Sequence, residues 1–345
     1  MIVINGRFLT QRLTGIQRFA YEICRALRRI GMDYVIIAPS NIAPEYMIDD
    51  LPVEKIGGKG SHFWEQVTLP CYMQRHYQGL PLLSLSGLSP IGYNHAVMTI
   101  HDVSYLLRPR AFSWLYTCYY RLMTPWAAKR AKRILTVSRF SKHELMRYYN
   151  IADEKITVVY NAAQITALAP RKETKPYLLA VGSLMPRKNI RRLSEAYSTM
   201  QDADFDLYIA GAVDASFANA DLETYAQAKG VHWLGHVSPD ELNTYYRNAT
   251  AYINPSLYEG FGIPLLEAMV QECPVIASDI PVFHEVCEEA AFYFNPLKPE
   301  EIQSAMRTVM QDKALRQRLI EAGQQRCRHF SWEASARVIQ QLFKA

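Results

Sequence analysis

Long hydrophobic runs are missing from this sequence of 345 residues. No stretch approaches the about 20 consecutive apolar residues that a membrane-spanning helix needs. The first residues, MIVINGRFLTQRLTGIQRF, contain no apolar signal region and no cleavage site, and are typical of a first strand and its loop. With 49% hydrophobic and 21% charged residues, the composition is that of a globular protein. We therefore expect a cytoplasmic protein that at most contacts the inner face of the cytoplasmic membrane peripherally.

Paired cysteines are also missing. The six cysteines are scattered through the chain and form no Cys-x-x-Cys pattern. This spacing argues against a zinc site and against a disulfide framework. We expect buried free thiols, no metal site and no cofactor.

Two common nucleotide-binding glycine motifs are absent. Neither G-x-G-x-x-G nor the P-loop pattern occurs, so classical dinucleotide binding is not supported and a P-loop is excluded. No nucleic-acid recognition motif occurs, and we expect no nucleic-acid partner. A single glycine, Gly15, precedes the first predicted helix. It is interpreted equally well as a turn residue or as a point where backbone approaches a ligand.

Short hydrophobic stretches alternate with amphipathic stretches along the whole sequence. Residues 33–39 and 133–138, for example, predict strands, and the second of these strands is followed by a predicted helix with a capping serine, Ser138. Alternation of this kind implies parallel, doubly wound sheets. The sequence therefore predicts an α/β fold.

The alternation is interrupted once, near the middle of the chain. Residues 163–176 contain two prolines and a charged run, which predicts a linker. We predict Rossmann-like domains at residues 1–165 and 174–328. The last segment, 329–345, is predicted to form an amphipathic helix.

Charge is distributed unevenly between the two halves. Residues 1–165 carry 20 Lys and Arg against 11 Asp and Glu, a net charge of +9, and residues 166–345 carry 18 against 22, a net charge of −4. The basic half is suited to an anionic membrane surface or a phosphate-bearing acceptor. The segment 112–133 combines aromatic residues with Lys129, Arg130, Lys132 and Arg133. It fits a membrane interface, but we favour aromatic core residues with a solvated charged face, because the aromatics follow no single stripe.

The string from Glu259 to Glu267, EGFGIPLLE, is the strongest functional signal. Its glycines predict a loop after a strand, and Pro264 fits the first position of a helix. We place Glu267 in the first turn of that helix and Glu259 in the loop. Two carboxylates around a helix N-terminus can bind sugar hydroxyls, while the helix end favours a diphosphate. The alternative is a loop charge and a helix-stabilising carboxylate.

Two further motifs follow predicted strands. In VGSLMPRKN, Gly182 and Ser183 end a strand and precede Arg187 and Lys188, which can bind a diphosphate. The alternative is a solvated basic turn. In TIHDVS, His101 and Asp102 end another strand and would face a ligand cleft, unless they form only a hydrogen-bonded loop pair.

Taken in order, these motifs resemble the retaining glycosyltransferases of family 4, which have the GT-B architecture of two facing Rossmann-like domains. The resemblance covers nearly the whole chain and is densest from about 177 to 290, where VGSLMPRKNI and NPSLYEGFGIPLLEAM lie. It is closest to bacterial mannosyltransferase-like members that build O-antigens and other surface polysaccharides. It implies that the last helix crosses back to the first domain.

The resemblance also implies the substrates. The donor would be a GDP-, UDP- or dTDP-linked hexose of mannose, rhamnose or glucose type. The acceptor would be a saccharide linked to polyprenyl diphosphate. The leaving phosphate would help to deprotonate the acceptor hydroxyl during front-face attack, so that the anomeric configuration is retained.

The same resemblance implies residue roles. Arg187 and Lys188 would bind the donor phosphates, Glu267 the ribose and Glu259 the transferred sugar. His101 would contact the sugar near the reacting carbon. The remaining residues implied in donor binding are Gly15, Gly182, Ser183, Gly235, His236, Val237, Gly260, Phe261 and Gly262.

Two other functions remain open at this point. A sugar-nucleotide epimerase with the same layout would act without an acceptor, and the two glutamates separated by seven residues disfavour it. A non-catalytic nucleotide-sugar-binding protein would bind donor without turnover. The intact Arg187, Lys188, Glu259 and Glu267 disfavour that alternative.

Overall fold

The computed structural model describes residues 1–107, 113–164, 167–172, 174–200, 203–211 and 229–344. The chain divides into two compact units. The first comprises Met1–Asn161 together with Ser331–Ala345, and the second comprises Ala162–Phe330. Each unit is built on one parallel sheet, so the predicted fold of two Rossmann-like domains is confirmed.

The sheet of the first unit has seven strands in the order β3-β2-β1-β4-β5-β6-β7. All neighbouring strands are parallel. The strands are β1 Ile2–Asn5, β2 Tyr34–Pro39, β3 Val53–Ile56, β4 Leu82–Ser84, β5 Ala96–Thr99, β6 Arg133–Thr136 and β7 Ile156–Val158.

Helices lie between these strands. The α-helices are α1 Gly15–Arg29, α2 Leu69–His76, α3 Ser104–Leu107, α4 Trp114–Arg130 and α5 Arg139–Tyr149. A short π-helical segment, Trp64–Thr68, leads directly into α2. Helix α1 buries Phe19, Ile23 and Leu27, which recur at helical spacing.

The second unit repeats the architecture. Its six strands follow the order β10-β9-β8-β11-β12-β13, again all parallel. They are β8 Tyr177–Val181, β9 Asp206–Ala210, β10 Val231–Gly235, β11 Ala251–Asn254, β12 Val275–Ser278 and β13 Ala291–Phe294. The α-helices among its described residues are α6 Ile190–Ser198, α7 Pro239–Asn248, α8 Ile263–Val270, α9 Pro281–Cys287, α10 Pro299–Gln311 and α11 Lys313–Cys327.

The last helix, α12 Trp332–Leu342, belongs to the first unit. Trp332 contacts Phe19 of α1 with ring centroids 6.1 Å apart, and the Ser335 hydroxyl donates to the Tyr160 carbonyl at 2.7 Å. The chain therefore returns to its first unit after completing the second, as expected.

Each sheet has a switch point, which we define as the pair of neighbouring strands from which the chain winds outward in opposite directions. In the first unit this pair is β1 and β4, and in the second it is β8 and β11. In parallel α/β folds, ligands bind at the carboxyl ends of the strands beside such a point. These two positions are therefore where a functional site is expected.

Our preferred interpretation of the segment 112–133 is wrong in part. Trp114 and Trp126 are 75% and 69% exposed on α4, although we expected the aromatic residues to lie in the core. The buried face of α4 is formed instead by small residues, among them Thr124 and Ala128. Phe112 lies outside the described residues.

Candidate functional site

A 3-10 turn, Pro186–Lys188, carries the two predicted cations just beyond the end of β8. The next residue, Asn189, adopts left-handed backbone with a φ of 56°, and its side-chain amide donates to the Pro296 carbonyl at 2.9 Å. The turn is thus anchored to the loop after β13. Its orientation is fixed by the fold, as a binding site for a charged group requires.

Glu259 lies in the loop after β11, beside the turn that carries the cations. Its carboxylate accepts from Arg187 Nη1 at 2.9 Å and forms an ion pair with the Lys188 ammonium. The Ser256 hydroxyl donates to the same carboxylate at 2.9 Å. A backbone hydrogen bond of 2.7 Å from Leu257 to Arg187 joins the two loops. The structure therefore places three predicted site residues in one cluster at the switch point of the second unit.

The electrostatics of this cluster are set by burial and by its two cations. Glu259 is 7% exposed, and its burial alone would raise the carboxyl pKa. Lys188 and then Arg187 more than offset this effect and lower the pKa of Glu259 to about 2. With two cations and one carboxylate, the cluster has an excess positive charge that can bind a diphosphate.

The helix that follows Glu259 begins at Ile263, one residue before Pro264. Gly262 caps it with a φ of +105°, and a Cβ there would approach Leu265 to 2.8 Å, so this position requires glycine. Glu267 is consequently the fifth residue of the helix, and our placement of it in the first turn is wrong. Its carboxylate accepts a hydrogen bond from the Tyr246 hydroxyl at 3.3 Å.

The remaining donor-binding predictions in the second unit follow strand ends. Gly182 lies directly after β8. A Cβ added to this glycine would lie 3.5 Å from the aliphatic part of the Lys188 side chain. Gly235 ends β10 with a φ of +64°, and a Cβ there would meet no atom within 4 Å. His236 after it is exposed. These residues lie at the carboxyl edge of the second sheet, like the cluster around Glu259.

Two predicted residues lie in the first unit. Gly15 is the first residue of α1, and a Cβ there would meet no atom within 4 Å, so the fold itself does not require glycine. His101 follows β5, and its Nε2 donates to the Leu85 carbonyl at 3.0 Å, which leaves Nδ1 as the acceptor. Burial lowers the pKa of His101, so the ring is neutral at pH 7. Asp102 accepts instead from the Ser104 amide at 2.8 Å.

The sequence contains an Asp-x-Asp pattern that our expectation of no metal site had overlooked, Asp202-x-Asp204-x-Asp206. Asp202 lies outside the described residues. Asp206 is the first residue of β9 and pairs with Lys175 at 2.6 Å, so it lies at the amino end of its strand. The cluster around Glu259 is at the carboxyl ends. Among the described residues, no group of three His, Cys, Asp or Glu side chains could hold a metal ion.

Sequence reasoning missed the residues that orient this cluster. Ser256 and Asn189 are polar residues in loops, and such residues are common on protein surfaces. Only their burial and their bonds to Glu259 and to the Pro296 carbonyl identify them as positioning residues. Their closeness in sequence to Glu259 and Lys188 was the available signal.

Comparison with known proteins identifies the family of the chain. Residues 163–326 match the family described as Glycosyl transferases group 1, and residues 13–166 match Glycosyltransferase Family 4. The O-antigen chain mannosyltransferase RfbU of Salmonella typhimurium is 36% identical over 325 residues, which cover 90% of this chain and 91% of that protein. The chain belongs to the family 4 glycosyltransferases.

Further relatives agree with this assignment. O-antigen chain mannosyltransferase B of Escherichia coli is 29% identical over 71% of this chain and 68% of its own length. The solved structure of HepE from Anabaena, in complex with UDP and glucose, has a TM-score of 0.77 at 14% identity and covers 100% of this chain and 99% of that one. The resemblance inferred from the motifs is confirmed, and this family 4 member is an enzyme with the GT-B fold.

No described helix of this glycosyltransferase is both long enough and apolar enough to cross a bilayer.

Proposed function

We propose that this glycosyltransferase moves mannose from a nucleotide-linked donor to a saccharide carried on polyprenyl diphosphate, with retention of configuration. The donor sugar is taken from the relatives that are named O-antigen mannosyltransferases. The proposed acceptor class and the proposed retention are consistent with the family. Glucose and rhamnose donors are the alternatives that an assay must include.

The observation that carries this proposal is the cluster of Arg187, Lys188 and Glu259 at the second switch point. Sugar transfer develops negative charge on the leaving diphosphate. Preorganised cations stabilise such charge, and a single donor of this kind is often worth about 10²–10³ in rate. Glu259 pairs with both cations and neutralises one of their two positive charges. When the diphosphate is bound it takes over part of that role, and the carboxylate becomes available to the sugar hydroxyls.

The donor can be identified by two measurements on the full chain. GDP, UDP, dTDP and ADP are first compared by thermal shift, and the sugar nucleotide of the best ligand is then incubated with and without octyl glycosides. We expect stabilisation by GDP and transfer of mannose from GDP-mannose to a glycoside. An epimerase would isomerise the donor without any acceptor, and a binding protein would give a thermal shift with no product. Either result contradicts the proposal.

We also propose that the first unit contacts an anionic membrane through α4. Leu115, Leu122 and Trp126 are spaced i, i+7 and i+11, so they share one helix face, and each is 69–73% exposed. Trp114 adds an exposed ring at the start of the helix. The opposite face is the buried one. Exposed tryptophan and leucine beside basic residues are typical of helices that lie in a membrane interface.

Basic residues at the end of α4 complete this membrane surface. Lys129, Arg130 and Lys132 are exposed, and each can contribute about 1 kcal/mol near an anionic surface. Arg133 is also exposed, but its guanidinium donates to the Glu154 carbonyl. We therefore leave Arg133 unchanged in the test, because its loss would also remove a bond within the fold.

The membrane contact is tested by co-sedimentation with vesicles of phosphatidylcholine, with and without phosphatidylglycerol. The basic variant carries alanine at 129, 130 and 132. The control variant removes the same charge from the second unit, at the exposed Lys313, Arg318 and Arg328. We expect salt-sensitive binding to anionic vesicles that the basic variant loses and the control retains. Equal binding by all three proteins, or by none, would contradict the proposal.

A further inference from the structure

A second buried ion pair lies at the switch point of the first unit. Arg7 follows β1, and its Nη1 donates to Glu65 Oε2 at 2.9 Å. Arg7 is 8% exposed and Glu65 is fully buried. The pair occupies the position in the first sheet that Arg187, Lys188 and Glu259 occupy in the second. Because parallel α/β folds bind ligands at such positions, this pair is a candidate for a second binding site.

Several segments converge to hold the pair in place. Asn5, the last residue of β1, donates to Glu65 Oε1 at 2.9 Å and to the Ser84 hydroxyl at 3.3 Å. Gly87 has a φ of +71°, and a Cβ there would lie 3.2 Å from both Arg7 Nη1 and Glu65 Oε1. Glu65 itself lies in the π-helical segment, a geometry often found at functional sites. A buried ion pair gains little net stability, because desolvation offsets the attraction. Stability alone therefore does not explain this convergence.

Three polar atoms beside the ion pair have no hydrogen-bond partner in the part of the chain that the structure describes. They are Arg7 Nε, His62 Nδ1 and the Tyr119 hydroxyl, and all three are buried. The rings of His62 and Tyr119 lie 4.3 Å apart. Burial and then the nearby Glu65 carboxylate raise the pKa of Tyr119 to about 12, so the phenol keeps its proton. Since buried polar atoms are nearly always hydrogen-bonded, these atoms are suited to a ligand.

The chemistry of this cluster selects a neutral polyhydroxyl ligand. Burial raises the pKa of Glu65 to about 7, although Arg7 and Asn5 lower it, so the side chain is partly ionised at pH 7. Its ionised form disfavours a phosphate, whereas a sugar hydroxyl can donate to a Glu65 oxygen and accept from the Arg7 guanidinium at once. The rings of His62 and Tyr119 add an apolar surface for the C–H face of a sugar. The His62 side chain is 43% exposed and forms the side of the cluster that is open to solvent. A sugar would therefore approach past this ring.

We propose that this cluster binds the sugar of the acceptor and determines which saccharide is extended. Its members are Arg7, His62, Glu65 and Tyr119. The proposal rests on the proposed function, because it requires that the enzyme transfer a sugar to a saccharide. It goes further by naming the residues of the first unit that recognise the acceptor.

The decisive variant is Tyr119→Phe, which removes only a hydroxyl that has no partner among the described residues. A purely structural role predicts unchanged or higher thermal stability and unchanged kinetics. Our proposal predicts equal or higher stability together with a KM for the acceptor raised about threefold to tenfold, the effect of one lost neutral hydrogen bond. The KM for the donor should not change.

The matched control is Tyr34→Phe in the same unit. Tyr34 is buried, and its hydroxyl donates to the Cys24 carbonyl at 2.7 Å. Its loss should lower stability and leave the acceptor KM unchanged, the reverse of the result expected for Tyr119. Glu65→Gln, which keeps the shape but not the charge, is the second test variant. It should raise the acceptor KM without weakening GDP binding.

The probes are octyl glycosides of α-mannose, α-galactose, α-rhamnose and β-N-acetylglucosamine, with the donor selected by thermal shift. Acceptor KM values that change for Tyr119→Phe and Glu65→Gln but not for Tyr34→Phe would support the proposal. Unchanged KM values in both test variants would overturn it. A wild type that binds no nucleotide, or that binds donor but transfers sugar to none of the glycosides, would instead contradict the proposed function.

Discussion

Replacing Glu259 with glutamine tests how the second unit holds its two cations. Arg187 and Lys188 lower the pKa of the Glu259 carboxyl from 4.5 to about 2. A difference of that size corresponds to on the order of 3 kcal/mol of stabilisation of the ionised side chain at pH 7. Because glutamine carries no charge and leaves the cations facing each other, we expect Glu259→Gln to lower the free energy of unfolding by about that amount.

The pH dependence gives this prediction a second readout. Glu259 has a lowered pKa in the folded state, so its contribution is complete above the unfolded pKa of 4.5 and is lost as the pH falls toward 2. Urea unfolding monitored between pH 7 and pH 3 should show this loss in the wild type and a smaller one in Glu259→Gln. Addition of GDP should stabilise the variant more than the wild type, since the diphosphate replaces the missing negative charge.

The control for this experiment is Glu301→Gln in the same unit. Glu301 pairs with Lys298 at 2.8 Å, but its side chain is 41% exposed, so its loss should lower the free energy of unfolding much less than the loss of Glu259. If Glu259→Gln unfolds with the same free energy as the wild type at pH 7, the electrostatic description of the cluster is refuted.

Two other outcomes follow from the site. Gly15→Ala should leave the melting temperature unchanged, because no atom lies within 4 Å of the added Cβ, but should lower the initial rate because a ligand approaches that backbone; a fully active Gly15→Ala enzyme would contradict a ligand contact there. Gly262→Ala should lower the melting temperature, because alanine is strained at a φ of +105°. Activity, measured as the initial rate, should persist in EDTA and should not depend on added Mg²⁺ or Mn²⁺. A complete loss of activity in EDTA that either ion restores would contradict the expected metal independence.

The architecture was predictable because most strands are hydrophobic runs separated by helix signals. β8 and β11 were identified in this way, and the loops after them carried recognisable motifs. By contrast, β3, with the sequence VEKI, has two charged residues, and β4 has only three residues. They form strands because neighbouring strands supply hydrogen bonds, which local sequence does not reveal.

The parts of the site that sequence did not reveal depend on burial. Arg7 and Glu65 are 58 residues apart in sequence. Taken alone, neither residue can be distinguished from an ordinary charged residue on a protein surface. The sequence predicts a core position for Trp114 and Trp126, because most large aromatic side chains are buried. The packing of α4 instead leaves both side chains exposed. Which side of a helix faces its own sheet is decided by tertiary contacts.

The central claim, that Arg187 and Lys188 stabilise the leaving diphosphate, is tested most directly by the turnover of Lys188→Ala. The Lys188 side chain is 15% exposed and pairs with Glu259, which keeps Arg187 and Ser256 as partners when Lys188 is replaced. We therefore expect the fold to survive, as a melting curve will verify. The account predicts that turnover with the selected donor falls by about 10²-fold or more. Turnover near that of the wild type in a folded variant would contradict it.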